Sequence, residues 1–257
     1  SVSDFDAGLV DLYAKVRDYY YSGNRRSKST IYGTDLFFDA REGTTLDRFG
    51  DYAVTLNTTS NVVEWHWDRL YKIIANANTI LDKVGETEIN DLDKIRIEAE
   101  ARFFRGFGYR HLVYYFGAVP LLLNAVESPR TDFTRNSENE ILEQIEADLL
   151  FAADNLPAIE DATDGRLNNL VAYHYLAETY ITLGRFSEAI SAATIVIDNP
   201  NTSLMTDRFG TRSGEPGDVY WDLFRRGNQN RTTGNTEAIW VAQMELDVPG
   251  GMITSTG

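Results

Sequence analysis

Apolar residues recur along this chain with a period near 3.6 and rarely with a period of two, which predicts a helical protein. Phe5, Leu9, Leu12, Val16 and Tyr19-Tyr20 mark a first helix from Ser3 to about Tyr21, with Ser3-Asp4 as its cap. A second is predicted from Val62 to Val84 and a third from Leu92 to Phe116. Within the third, the stretch AEARFFRGFGYRHLVYYFGAVPLLL (99–123) is apolar almost all the way round. Phe103 and Phe107 share one face, while Phe104, Leu112, Tyr115 and Phe116 populate others. A helix apolar on every side must be packed on every side. Gly117 is placed to end it in the left-handed conformation, and Pro120 blocks continuation into an extended Val119-Pro120-Leu121-Leu122-Leu123 segment. Residues 121–133 are expected to be irregular. A fourth helix, 138–155, opens on Ser137-Glu138-Asn139-Glu140, which resembles a capping box, and turns Ile141, Ile145, Leu149 and Ala152-Ala153 inward.

An internal repeat signal follows. Tyr173, Leu176, Ala177, Tyr180, Gly184, Phe186 and Ala189 sit where a tetratricopeptide (TPR) repeat places its packing residues. Small Ala177 and Ala189 let two antiparallel helices approach, and Gly184 makes the sharp turn between them. Residues 165–200 are the clearest such pair. The earlier helices read as more degenerate pairs, and stacked pairs bury a continuous core that one pair cannot bury alone. The predicted class is therefore all-α, with TPR-like helix pairs in a right-handed superhelix and long irregular loops. Residues 22–61 and 201–235 form two polar excursions rich in Gly, Ser, Thr, Asn and Asp. A connection as long as the first is usually functional or disordered. The second contains one apolar knot, Val219-Tyr220-Trp221-Asp222-Leu223-Phe224, and Ala238 to Leu246 is expected to be a short extended segment.

Composition narrows the function. The 257 residues suffice for one domain or two small ones, and 43% hydrophobic residues supply a sizeable core. A net charge of -15 argues against nucleic acid, whose phosphates need clustered Lys and Arg. No cysteine is present, so disulfides and thiolate metal sites are excluded. No apolar run approaches 18 residues, and Ser1 does not open a secretory signal.

Reactive constellations are absent. There is no phosphate-cradling glycine loop, no GxSxG elbow and no His-Glu-x-x-His. His66, His111 and His174 each stand alone on a helix, where a packed or surface role is the common one. No metal or cofactor is expected. A glycosidase needs two carboxylates facing each other across a bond. Glu98/Glu100, Glu138/Glu140 and Asp161/Asp164 are merely sequence neighbours that suit helix faces and caps, and Glu98 can pair with Arg102 one turn on. The aromatics are the more telling supply. Sugars present flat patches of C–H groups that stack on Trp and Tyr faces, and neighbouring polar side chains bond their hydroxyls. The first excursion and its edge offer Arg48, Tyr52, Asn57 and Trp65; the second offers Trp221. These five are the candidate ligand-binding residues. Trp65 and Trp221 suit either a core or a binding face. Trp67 and Trp240 suit the core, and Phe37-Phe38 and Phe224 suit loop anchors.

Three segments resemble the SusD/RagB family of surface glycan-capture lipoproteins of Bacteroidetes. Glu100-Ala101, Phe103, Arg105, Tyr109, Leu112-Val113, Phe116-Gly117 and Val119-Pro120-Leu121 match the family string EAxFxRAxxYxxLVxxFGxVPL. The helix from Trp67-Asp68-Arg69-Leu70-Tyr71 to Ala77-Asn78 is similar to its WxxLYxxIxxAN segment, and Glu237-Ala238-Ile239-Trp240 to its sEiIf segment. Gly106, Gly108 and His111 depart from the usual Ala, bulky residue and Asp, at positions that concern helix packing. The resemblance implies a single SusD-like helical domain over residues 1–257, with the C-terminal part of the family fold missing. It implies a signal peptide and a lipid-bearing Cys upstream of Ser1, a place on the outer-membrane surface, and a binding protein rather than an enzyme. Such a protein captures an oligosaccharide, polysaccharide or other polymeric nutrient and passes it to a TonB-dependent transporter of the SusC type. Two other readings fit parts of the sequence. A TPR scaffold binding a peptide or protein explains the repeat but not the excursions, and an α-helical glycoside hydrolase requires a carboxylate pair that the sequence does not identify.

Overall fold

The computed structural model describes residues 1–21, 57 and 59–244. Among these residues seven α-helices follow one another: α1 Val2–Tyr21, α2 Asn61–Glu86, α3 Asp91–Phe116, α4 Glu138–Asn155, α5 Asn169–Thr182, α6 Phe186–Ile197 and the short α7 Val219–Leu223. A 3-10 turn, Arg231–Thr233, comes after them. Every regular element among the described residues is helical, and none is long and apolar enough to cross a membrane.

Each long helix packs on its sequence neighbour: α2 on α3, α3 on α4, α4 on α5, α5 on α6. Helix α1 lies against both α2 and α3. This is the stacked-pair architecture that the apolar spacing predicts. Helix α3 is its axis and buries residues on all sides, from Ile97 through Phe103, Phe104 and Phe107 to Val113. It also buries Glu100, Arg105 and His111, three polar groups that the apolar reading of this helix passed over.

Local chemistry sets the helix limits. Asn90 caps α3 by accepting from the Asp93 N–H at 2.9 Å. Ser137 and Glu140 make the reciprocal capping box at the start of α4, with Glu140 Oε2 2.7 Å from the Ser137 N–H. Gly117 ends α3 at φ +64° and donates its N–H to Val113 O. Its ψ of -124° departs from the left-handed helical well expected for it. A Cβ there would meet only the movable end of the Glu138 side chain, at 2.8 Å, so it is the positive φ that favours glycine. Gly184 turns α5 into α6 at φ +72°.

After Pro120 the chain runs extended along α2 and α3. Tyr71 donates its hydroxyl to Pro120 O at 2.7 Å, Asn78 Nδ2 donates to Leu122 O at 2.8 Å, and Arg105 Nη1 donates to Leu123 O at 3.1 Å. Tyr109 donates to Leu122 O and accepts from Leu122 N–H. Side chains of two helices thus satisfy a strap that has no strand partner.

Two local expectations differ from the structure. Phe186 packs as a repeat residue by spacing but is 64% exposed, because nothing among the described residues covers the outer side of α6. Phe224 anchors no loop and is 72% exposed. Residues 241–244 have no helix or ladder partner, which is compatible with the extended segment expected there, and Trp240 Nε1 donates to Gly165 O at 3.1 Å.

Candidate functional site

One end of the stack is built almost wholly of aromatic rings. The last turn of α1 brings Tyr19, Tyr20 and Tyr21; the first turns of α2 bring Trp65, His66 and Trp67; the last turns of α3 bring His111, Tyr114, Tyr115 and Phe116. The segment between α1 and α2 leaves from Tyr21 and re-enters at Ser60, so the first polar excursion is rooted here. Underneath, Tyr19 stacks on Trp65 with centroids 5.4 Å apart and planes 12° from parallel. Its hydroxyl is 2.9 Å from His66 Nδ1. The His66 ring tilts over Tyr115 at 4.8 Å. His111 Nδ1 lies 2.8 Å from Phe107 O, an acceptor, so Nδ1 bears the proton and Nε2 accepts from the Tyr20 hydroxyl at 2.7 Å. Burial pushes both imidazoles down, to about 4 for His66 and about 3 for His111, so both are neutral at physiological pH. This lower layer fixes ring orientations without introducing charge.

Above it, Tyr20, Tyr21, Tyr114 and Tyr115 are each between 39% and 47% exposed. Trp67 is 36% exposed, edge-on to Phe116 at 5.2 Å, so the core role its motif suggests is only half fulfilled. Polar groups stand beside the rings. The Arg110 guanidinium lies 4.7 Å from the Tyr114 ring and 5.0 Å from that of Tyr175, and pairs with Glu178. Tyr114 shares a 2.8 Å hydrogen bond with Thr182. Partly exposed rings with hydroxyls and an ion pair around them suit a ligand with alternating C–H and O–H surface.

The five sequence candidates fall in two places. Trp65 belongs to the aromatic end but is buried, one face on Tyr19, with the Arg69 guanidinium 5.8 Å from its ring. Asn57 lies four residues before α2 and is exposed; its Oδ1 accepts from the Thr59 N–H and hydroxyl at 3.0 and 2.8 Å. Arg48 and Tyr52, like Phe37-Phe38, lie outside the described residues. Trp221 stands elsewhere, on α7 in the second excursion, and is 52% exposed. Its indole rests on Gly217, where a Cβ would come within 2.3 Å of the ring, and the Arg225 guanidinium is 4.0 Å from the ring centroid. Buried Asp222 holds this excursion together: Arg208 Nε and Nη2 donate to its carboxylate at 2.5 and 3.1 Å, and the Phe209 N–H at 3.2 Å. Arg208 keeps the Asp222 carboxyl below its ordinary pKa.

Four of the six carboxylates that are sequence neighbours have structural partners. Arg102 Nε donates to Glu98 at 2.7 Å; buried Glu100 accepts from Tyr13 at 2.7 Å and Arg166 at 3.3 Å; Glu140 caps α4; Asp164 accepts from Thr232. A cleft of about 250 Å³ opens between α1 and the C-terminal segment, lined by Val10, Tyr13, Arg17, Arg166, Trp240 and Gln243.

Residues 4–181 match the SusD-like family described as starch-binding and associating with the outer membrane. The chain belongs to the SusD-like family. SusD-like protein P2 of Formosa agariphila is 30% identical over 203 residues, covering 77% of this chain and 40% of that protein. A SusD superfamily structure from Bacteroides vulgatus superposes with a TM-score of 0.75 at 21% identity, over 93% of this chain and 49% of that one. A laminarin-binding SusD-like protein superposes with a TM-score of 0.69 at 25% identity, over 80% of this chain and 47% of that one. The chain thus spans about half the length of the SusD-like proteins it matches. The stacked helices are the SusD fold over that span.

Tyr20, Tyr21, Tyr114 and Tyr115 were all missed as surface residues: helical spacing assigned Tyr20 and Tyr115 to apolar faces and singled out neither Tyr21 nor Tyr114. Their signal was position: each lies in the last two turns of a helix that ends at a predicted break.

Proposed function

We propose that this chain is the helical part of a cell-surface protein that captures an oligosaccharide or polysaccharide and passes it to a TonB-dependent SusC-like transporter. An N-terminal lipid outside the sequence holds it at the outer membrane. Family membership supports the reading, as does the laminarin bound by one structural relative. The observation that bears most weight is the aromatic end, where partly exposed Tyr20, Tyr21, Tyr114 and Tyr115 surround the root of a long polar excursion. Arg48, Tyr52 and Asn57 of that excursion supply hydrogen bonds to sugar hydroxyls. Trp65 acts from below, holding Tyr19 in place, and Trp221 offers a second stacking ring. Nothing in this role breaks a bond.

Isothermal titration against a panel of neutral and anionic polysaccharides tests it. Binding without release of reducing ends is the expected result. Tyr21→Ala and Trp221→Ala each weaken it about three- to tenfold with an unchanged melting temperature. Reducing-end release, or binding of peptides but of no glycan, overturns the proposal.

A further inference from the structure

The second excursion reverses the charge of the chain around it. Residues 201–235 hold five arginines against four Asp and Glu, a balance of +1 in a polypeptide of net charge -15. Two of those four carboxylates are spent on the local fold. Asp222 takes Arg208 and the Phe209 N–H, and Asp218 caps α7 by accepting from the Trp221 backbone N–H at 2.8 Å. Arg226 stands in the turn after α7, which the Asn228 N–H closes on Arg225 O at 3.0 Å. It is exposed and meets no carboxylate among the described residues.

The same turn holds Trp221 as a platform. Its backbone is fixed by the Asp218 cap, its ring lies against Gly217, and the buried guanidinium of Arg225 sits 4.0 Å from the ring centroid. A buried cation thus covers one face, while the indole as a whole is half exposed, so its open surface is turned outward. Ordering a ring before the ligand arrives lowers the cost of binding. The cation also sets the sign of the site. An aromatic face is negative, and a guanidinium on the inner face draws on that density and leaves the outer face less negative. Asp222 and Glu215 stand 3.5 and 3.4 Å from Arg225, but its Nη2 has no hydrogen-bond partner among the described residues.

On the glycan-capture reading above, we propose that Trp221 is a subsite for an acidic sugar, one that bears a carboxylate or a sulfate. The C–H face of that sugar stacks on the outer face of the indole, and its anionic group pairs with Arg226. The aromatic end has no such cation to spare, since Arg69 and Arg110 are already paired with Asp18 and Glu178. Selection for charge therefore resides at α7.

Isothermal titration of the protein with an oligogalacturonate, a carrageenan oligosaccharide and a laminarin oligosaccharide tests it. The expected result is that an acidic probe binds; about tenfold more salt and Arg226→Glu each weaken it about three- to fivefold, and Arg226→Lys retains it. Which acidic probe binds tells carboxylate from sulfate. Arg225→Met keeps the stem against the ring and removes the charge, and it too weakens the acidic probe. Should that variant loosen the excursion, the surface change Arg226→Glu carries the test alone. Laminarin binding with both acidic probes ignored overturns this assignment and leaves the capture reading standing, whereas no response to any glycan overturns both. Acidic binding untouched by Arg226→Glu and Trp221→Ala puts the anion elsewhere and overturns the assignment. Capture by anionic phospholipid vesicles in place of both acidic probes gives α7 to a lipid surface and overturns it as well.

Discussion

Arg105 and Asp148 meet as a two-pronged ion pair inside the stack, with Nε 2.8 Å from Oδ2 and Nη2 2.7 Å from Oδ1. Both side chains are buried. The third nitrogen, Nη1, donates to Asn78 Oδ1 at 3.2 Å and to Leu123 O at 3.1 Å. One guanidinium therefore joins α2, α3, α4 and the strap after Pro120.

Removing one partner strands the other charge in the core. Arg105→Met or Asp148→Ala is expected to cost about 3–5 kcal/mol, read from urea unfolding midpoints. Changing both residues to apolar ones costs less than the sum of the single changes. Arg105→Lys does not restore stability, because an ammonium cannot span the carboxylate, Asn78 and the strap together.

Two glycines two residues apart on α3, facing different helices, should respond oppositely to alanine. At Gly106 the added Cβ meets Leu149 Cγ at 3.4 Å, an ordinary contact. Gly106→Ala therefore gains helix propensity and stabilises by up to about 1 kcal/mol. At Gly108 the Cβ would lie 2.7 Å from Ile74 Cγ1. Gly108→Ala forces α2 and α3 apart and destabilises by about 1–2 kcal/mol net of propensity. Thermal unfolding of the two variants side by side checks the sign of each.

Acid should weaken the fold through His111 before most carboxylates titrate. Its folded pKa, about 3, lies below the unfolded value near 6.5. Its contribution is intact above pH 6.5. It is lost as pH falls from there toward 3, because only the unfolded state takes up the proton, at about 1.4 kcal/mol per pH unit. Burial acts on His66 in the same direction. Unfolding free energies from pH 7 to 5 should fall in the wild type and fall less steeply in His111→Phe.

The second excursion should loosen as a unit when its hub is removed. Asp222→Ala deprives Arg208 and the Phe209 N–H of their shared acceptor. Residues 208–228 should then become sensitive to limited proteolysis while the main thermal transition moves little. A wild-type digestion pattern would show that the loop is held by other means.

The helices were legible because their faces are apolar at helical spacing and their ends bear local signals. Ser137-Glu140 closes its capping box where the sequence places it, and α4 runs over the residues expected of it. The buried polar groups were harder to read. Arg105 looks like one charge in an apolar run, and its partner lies 43 positions away on another helix. Sequence spacing reports which face a residue shares but not what waits opposite that face. The aromatic end was half legible for the same reason. Trp65 and Tyr19 stack across two helices, a meeting that neither helix's periodicity encodes, and this contact settles that Trp65 is buried. Phe186 shows the reverse failure: its spacing assigns it to packing, and nothing among the described residues covers it.

The Tyr13 hydroxyl donates to Glu100 and accepts from the Leu167 N–H, 154 positions further along the chain. On a ribosome adding roughly 5–20 residues per second, Tyr13 is made about 8–30 seconds before that last partner exists. Over that interval Leu9, Leu12 and Val16 have no finished core to enter, and the newborn chain depends on whatever shields them.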